Sequence, residues 1–264
     1  MTAAKAHLRR ETREGGLVAH VTLDNEARLN VLGSALMSAF LDVMERLSRE
    51  PDLRCVVLTG AGERAFVAGA DIGEMADIAG PREARAFIGK VHACCEAVRA
   101  CPAPVIARIN GHALGAGLEL AAACDLRIAC EAASFGMPEV RIGVPSVVEA
   151  ALLPGLIGWG RTREMLLLGL TYDAMAAKAI GLVGDVVAAE ALDGAVEARV
   201  DAILAALPEA VRLQKSLIRR WEDLPMREAI LAGADVFAQA FLTPEPHEAM
   251  AAWKLAREAR KRGA

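Results

Sequence analysis

Two carboxylates, Glu119 and Glu139, stand twenty residues apart, each closing a stretch of small residues. Glu119 ends Asn110-Gly111-His112-Ala113-Leu114-Gly115-Ala116-Gly117-Leu118-Glu119, and Glu139 ends Phe135-Gly136-Met137-Pro138-Glu139. If a helix begins near Gly115, Ala116 and Glu119 lie three residues apart on one face. A main-chain N–H and a carboxylate then address the same small volume. The first N–H groups of a helix have no partner inside it, and with the helix dipole they can hold an anion or a developing oxyanion. A second stretch, Ala65-Phe66-Val67-Ala68-Gly69-Ala70-Asp71-Ile72, offers the same bare main chain after a strand. Pro138 restricts the backbone just before Glu139, as suits a carboxylate held at a turn. Proton transfer beside a stabilised oxyanion is the chemistry these types and spacings could perform. Each feature alone also has a plain structural reading: a connecting turn, a dipole-stabilising Glu, a Pro-Glu cap. Neither glycine-rich stretch carries a GxGxxG or Walker pattern.

The elements that must position these groups are legible in outline. Leu17 to Leu23 alternates between apolar and mixed positions and predicts a strand. Ser34 is placed to cap a helix in which Leu36, Phe40, Met44 and Leu47 recur about every turn. Cys55 to Gly60, Val105 to Ile109 and Leu126 to Ala129 read as short buried strands, and Arg82 to Ala100 as an amphipathic helix stopped by Pro102 and Pro104. From about Arg161 onward, helical segments punctuated by Gly181, Pro208, Pro225 and Pro244 dominate. The expectation is an α/β N-terminal part followed by helices, divided as 1–200 and 201–264.

Bulk properties narrow the function classes. The 264 residues suffice for one large core. Thirty Lys and Arg against thirty-four Asp and Glu, with only 4% aromatic residues, argue against a nucleic-acid or membrane-surface partner. The six cysteines show no CxxC pairing and sit in apolar surroundings, as buried free thiols of a cytoplasmic protein would. Met1 to Gly16 reads as a polar lead without a signal-type apolar core, and no apolar run reaches the roughly 18–20 residues of a membrane span. His112, Asp125 and the three tryptophans, Trp159, Trp221 and Trp253, read as structural.

In this order, the pieces resemble the crotonase superfamily of enoyl-CoA hydratases and isomerases, from about Leu17 to Trp253. The resemblance rests on Arg28-Leu29-Asn30, on Ala65 to Met75 and on Asn110 to Asp125. Phe135 to Glu139 and Ala177-Lys178-Ala179-Ile180-Gly181-Leu182-Val183 complete it. It implies an α/β crotonase (ClpP/crotonase-like) fold, a spiral of β-β-α units with a C-terminal helical trimerisation region. It further implies an acyl-CoA substrate whose thioester carbonyl sits between the N–H groups of Ala70 and Ala116. Glu119 and Glu139 would be the catalytic pair that handles water and protons. Ala68, Asp71 and Ile72 would lie along the adenine and pantetheine path of the CoA, mostly through backbone, with Arg28 near its phosphates or, equally, a surface residue. The implied enzyme is an enoyl-CoA hydratase, a lyase of fatty acid metabolism, forming a homotrimer or a dimer of trimers. No metal or other cofactor is expected, since CoA enters with the substrate. Isomerase, hydrolase or decarboxylase chemistry on the same oxyanion hole is the alternative, and a non-catalytic CoA- or RNA-binding role a more distant one.

One segment departs from that pattern. Where many hydratases carry a glycine-rich turn, this chain has Val144-Pro145-Ser146-Val147-Val148-Glu149-Ala150. Either Glu149 caps or neutralises a helix start, or the segment reshapes the acyl pocket or adds a polar contact to an unusual acyl group. The basic, alanine-rich stretch from Trp253 to Ala264 also makes a C-terminal contact to CoA doubtful.

Overall fold

The computed structural model describes residues 4–262, and the chain forms two compact units, Met1–Ile203 and Leu204–Ala264. Among the described residues of the first unit, ten strands make two sheets. They are β1 (Lys5–Arg13), β2 (Gly16–Asp24), β3 (Leu53–Gly60), β4 (Ala65–Val67), β5 (Val105–Ile109), β6 (His112–Leu114), β7 (Leu126–Cys130), β8 (Ser134–Gly136), β9 (Thr171–Asp173) and β10 (Asp185–Val187). The larger sheet runs β1-β2-β3-β5-β7-β10 and the smaller β4-β6-β8-β9. The helices of this unit are α1 (Ser34–Ser48), α2 (Ile72–Ala76), α3 (Pro81–Arg99), α4 (Ala116–Ala123), α5 (Leu153–Leu168), α6 (Ala174–Ala179) and α7 (Leu192–Ala205).

The repeat is a longer strand in the large sheet, a short strand in the small sheet, then a helix. β3-β4 leads to α2 and α3, and β5-β6 leads to α4. Successive turns stack in parallel, β3 on β5 on β7 and β4 on β6 on β8. This is the α/β spiral of strand–strand–helix units that the resemblance implies. Its central strands are covered on both faces, which explains why β3 is a near-continuous apolar run instead of an alternating one. α1 buries Leu36, Met37, Phe40, Val43, Met44 and Leu47, and α3 buries Val91, Cys94, Cys95 and Val98. All eight residues of α4 are buried, so the helix that carries Glu119 runs through the core. All six cysteines are free and buried.

Three expectations need correction. The polar lead is in large part a strand: β1 pairs antiparallel with β2 along its whole length. Its charges suit an edge, where Arg and Glu discourage pairing with another chain. Ser34 does not cap α1; the cap position is Gly33, and the Glu74 carboxylate accepts from both the Ser34 N–H (2.9 Å) and the Ser34 hydroxyl (2.6 Å). Finally, the stretch after Arg161 is not purely helical, because β9 and β10 return to the two sheets.

The second unit contains α8 (Pro208–Asp223), α9 (Met226–Ala240) and α10 (Glu245–Arg262). Leu213 and Leu217 of α8 pack with Ala232 and Val236 of α9. Much of its apolar surface is exposed, including Met226, Ile230, Phe237, Leu242, Trp253 and Leu255. Among the described residues, no helix is long and apolar enough to cross a membrane.

Candidate active site

The two glycine-rich stretches become neighbouring loops between the small sheet and the helices that follow it. In the first, Leu32 pairs with Ala70 as an isolated parallel bridge. The Leu32 N–H donates to the Gly69 carbonyl (2.8 Å) and the Asp71 N–H donates to the Leu32 carbonyl (3.0 Å). A parallel bridge of this kind uses the residues on either side of Ala70, so the N–H of Ala70 itself points away from it. The Ala68 N–H is engaged by the Leu29 carbonyl at 3.1 Å.

In the second loop Gly115 adopts φ +51° and ψ −124° and precedes α4. A Cβ there would collide with the Glu139 carboxylate and would sit 3.9 Å from the Gly69 Cα. The two loops and Glu139 therefore meet at this glycine. Gly117 is required for a different reason: a Cβ would overlap the Val67 carbonyl at the end of β4. The start of α4 is thus pressed against the first loop. Ala116 is the first residue of α4, so its N–H has no carbonyl one turn behind it. The next two positions differ: the Leu118 and Glu119 N–H groups both reach the Gly115 carbonyl (2.8 and 3.0 Å).

Glu119 is 4% exposed. Its Oε1 accepts from the Ala150 N–H at 3.2 Å. Burial, and then the neighbouring charge of Glu139, push this carboxyl up to about 8, against which the Ala150 N–H works. Glu139 begins a 3-10 turn, Glu139–Ile142, and is only partly buried. The Ser146 hydroxyl donates to its Oε2 at 2.8 Å. Glu139 thus lies against Gly115 at the start of α4 with the Gly69 Cα alongside, and its charge is felt at Glu119.

The residues expected along the CoA path divide. The carboxylate of Asp71 accepts from the Gly73 and Glu74 N–H groups at the start of α2, and Arg28 clasps it with both terminal nitrogens (Nη2–Oδ1 2.7 Å). The Arg28 guanidinium holds the Asp71 carboxyl below its ordinary value. The Asp71 side chain therefore serves the loop's own structure. Arg28 remains half-exposed while paired, and Ile72 is an exposed apolar residue at the start of α2. Two participants carried no sequence signal. Ser146 holds Glu139 from seven residues away, and His92 of α3 bonds Glu149 across 57 residues. Among the described residues, no group of three or more His, Cys, Asp or Glu side chains is arranged around a metal-sized site.

The sequence model described as enoyl-CoA hydratase/isomerase matches residues 13–261 of this chain. The short-chain-enoyl-CoA hydratase of Clostridium acetobutylicum is 34% identical over 239 residues, covering 90% of this chain and 91% of its own length. The crotonyl-CoA hydratase of Syntrophomonas wolfei is 35% identical over 232 residues, covering 88% and 89%. In three dimensions, the enoyl-CoA hydratase of Bacillus anthracis superposes with a TM-score of 0.89 at 33% identity, with 96% of each chain covered.

Proposed function

The chain belongs to the enoyl-CoA hydratase/isomerase family, and from that premise we propose that it is an enoyl-CoA hydratase that uses Glu119 and Glu139 as an acid–base pair. One observation carries this choice: the Glu139 carboxylate lies against Gly115, just before the free helix N-terminus at Ala116, and its charge reaches the buried Glu119. The support for hydration over other chemistry of the family is that water addition needs two proton-handling groups. The oxygen of water forms a bond to the β-carbon while its proton passes to one carboxylate. The α,β double bond breaks toward the thioester, whose oxygen becomes negative. The other carboxyl then gives its proton to the α-carbon, and the thioester carbonyl reforms. That sequence requires one ionised and one protonated carboxyl at the start. A buried Glu119 that binds its proton up to about pH 8 supplies such an asymmetry.

In this reading the N–H groups of Ala70 and Ala116 receive the thioester oxygen. Preorganised donors at a developing oxyanion are worth about 3–4 kcal/mol each. Ala116 stands where glycine is common, which leaves the N–H donor intact. Ala68, Asp71 and Ile72 border the CoA path, mostly through backbone, and Arg28, already paired with Asp71, presents its outer edge to the phosphates. The exposed apolar residues of the second unit support assembly as a homotrimer or a dimer of trimers. Six free buried thiols favour a reducing, cytoplasmic setting. No resident cofactor is required, because CoA arrives with the acyl group.

The test is loss of the enoyl-thioester absorbance near ~263 nm, a property of the conjugated thioester, followed with crotonyl-CoA and with a branched or aromatic enoyl-CoA. Wild type should hydrate at least one of them, and Glu119→Gln and Glu139→Gln should each be slower by about 10²–10⁴. Binding of the esters without hydration would overturn the reading in favour of isomerase or hydrolase chemistry.

A further inference from the structure

The segment that replaces the expected glycine-rich turn introduces a third carboxylate beside the catalytic pair. Val148 holds φ +40°, a left-handed conformation that a β-branched residue rarely adopts. It opens a 3-10 turn, Val148–Leu152, and the next residue is Glu149. The side chain of Glu149 is only 8% exposed. Its Oε1 lies 2.7 Å from Nδ1 of His92 on α3, whose own side chain is 55% exposed. Its Oε2 is buried and has no hydrogen-bond partner among the described residues. The peptide that follows Glu149 donates the Ala150 N–H to Glu119. One strained turn therefore presents to Glu119 both a hydrogen-bond donor and, one residue earlier, a carboxylate.

The surroundings offer little to offset that charge. From α3, His92 faces Glu149, and the thiols of Cys94 and Cys95 lie within its field. Burial first, and Glu149 second, push Cys94 up to about 12 and Cys95 higher as well, so both are neutral; Lys90 opposes this only at Cys94. From α4 comes Glu119 itself, with Glu139 beyond it. The first two turns of α5, residues 153–160, carry no ionisable side chain. His92 is thus the one side chain in hydrogen-bond contact with Glu149 among the described residues, and it has access to solvent.

We propose that Glu149, held by His92, is a positioning residue for Glu119: it disfavours the ionised form of Glu119 by like charge, while the Ala150 N–H on the same turn favours it. The proposal rests on Glu119 being the acid–base group of the function proposed above.

Infrared difference titration reads Glu119 without any need for turnover. The carboxyl band lost in Glu119→Gln identifies it, and its midpoint is followed in the otherwise native chain, in Glu149→Gln and in Glu149→Asp. Removing the charge should lower the midpoint by at least about half a pH unit, and Glu149→Asp, which keeps the charge, should restore most of that shift. The pH profile of kcat/KM for a hydrated enoyl-CoA should move its Glu119-dependent limb to lower pH in Glu149→Gln, with KM changed less than about threefold. The direction is the same whether Glu119 acts as acid or base. An unmoved midpoint in a folded Glu149→Gln, or equal rate losses at all pH values in both variants, would overturn the proposal. If no ester is hydrated at all, the hydratase reading fails, and the infrared midpoints still decide the coupling.

Discussion

The two glycine-rich loops are built alike, yet their carboxylates behave in opposite ways. Each follows a short strand of the small sheet, each turns through a glycine with positive φ, and each leads into a helix with an acidic residue nearby. Asp71 sits at the cap position of α2, accepts two N–H groups and is clasped by Arg28, so its ionised form is favoured. Glu119 sits three residues inside α4, has a single N–H donor and faces Glu139, so its ionised form is penalised. The difference lies in three-dimensional surroundings, since α2 lies toward the surface whereas α4 runs through the core. A carboxylate given every partner stabilises a loop. A carboxylate denied them is held ready to exchange a proton.

The widest separation should appear in catalysis. Asp71→Asn keeps an oxygen to cap α2 and should leave kcat within about tenfold, whereas Glu119→Gln should lower it by about 10²–10⁴. Steady-state kinetics on one enoyl-CoA ester would measure both. A comparable loss in Asp71→Asn would place that residue in the chemistry and erase the distinction between the loops.

How much of this contrast could be read from the residues alone follows from where each partner sits. Strand and helix periodicity revealed β2, α1 and α3 because each buries a regular face of its own segment, and an almost unbroken apolar run revealed β3. β1 stayed hidden because Arg9, Arg10, Glu11 and Arg13 obscure its alternation, and its pairing with β2 is what makes it a strand. The motif around Gly115 and Pro138 named Glu119 and Glu139, but their approach depends on β8 returning the chain to the small sheet beside β6. The Glu74 cap on α1, the Ser146 bond to Glu139 and the His92–Glu149 pair join separate elements across 40, 7 and 57 residues. No local pattern encodes such contacts. Gly117, by contrast, was visible as a glycine but not as a packing contact, and its need appears only once β4 lies beneath it.

Stability should separate the loops next. The folded value of Glu119, about 8, lies above its ordinary 4.5, so the native state holds an extra proton between those pH values. Its burial therefore costs nothing below about pH 4.5 and progressively more as the pH rises through 8. Glu119→Gln removes that cost while keeping an acceptor for the Ala150 N–H. Chemical denaturation should find this variant close to wild type at pH 5 and more stable by on the order of 2–4 kcal/mol at pH 9. A difference that does not change with pH would mean that Glu119 is not the buried, proton-holding group.

Asp71 should show the reverse sign and the smallest effect. Its folded value lies below the ordinary 3.8, so its stabilisation is present above that pH and is lost as the pH falls through the lower, folded value. The pair with Arg28 is half-exposed on the arginine side and screened by solvent, and Asn at position 71 can still cap α2. Asp71→Asn should therefore lower the thermal midpoint by no more than about 2–4 °C at pH 7. The gap should narrow below about pH 4 and shrink in high salt at neutral pH, as an exposed ion pair requires. A gap that persists in acid and in salt would trace the loss to the cap or to packing, and would leave Arg28 with no part in holding the first loop.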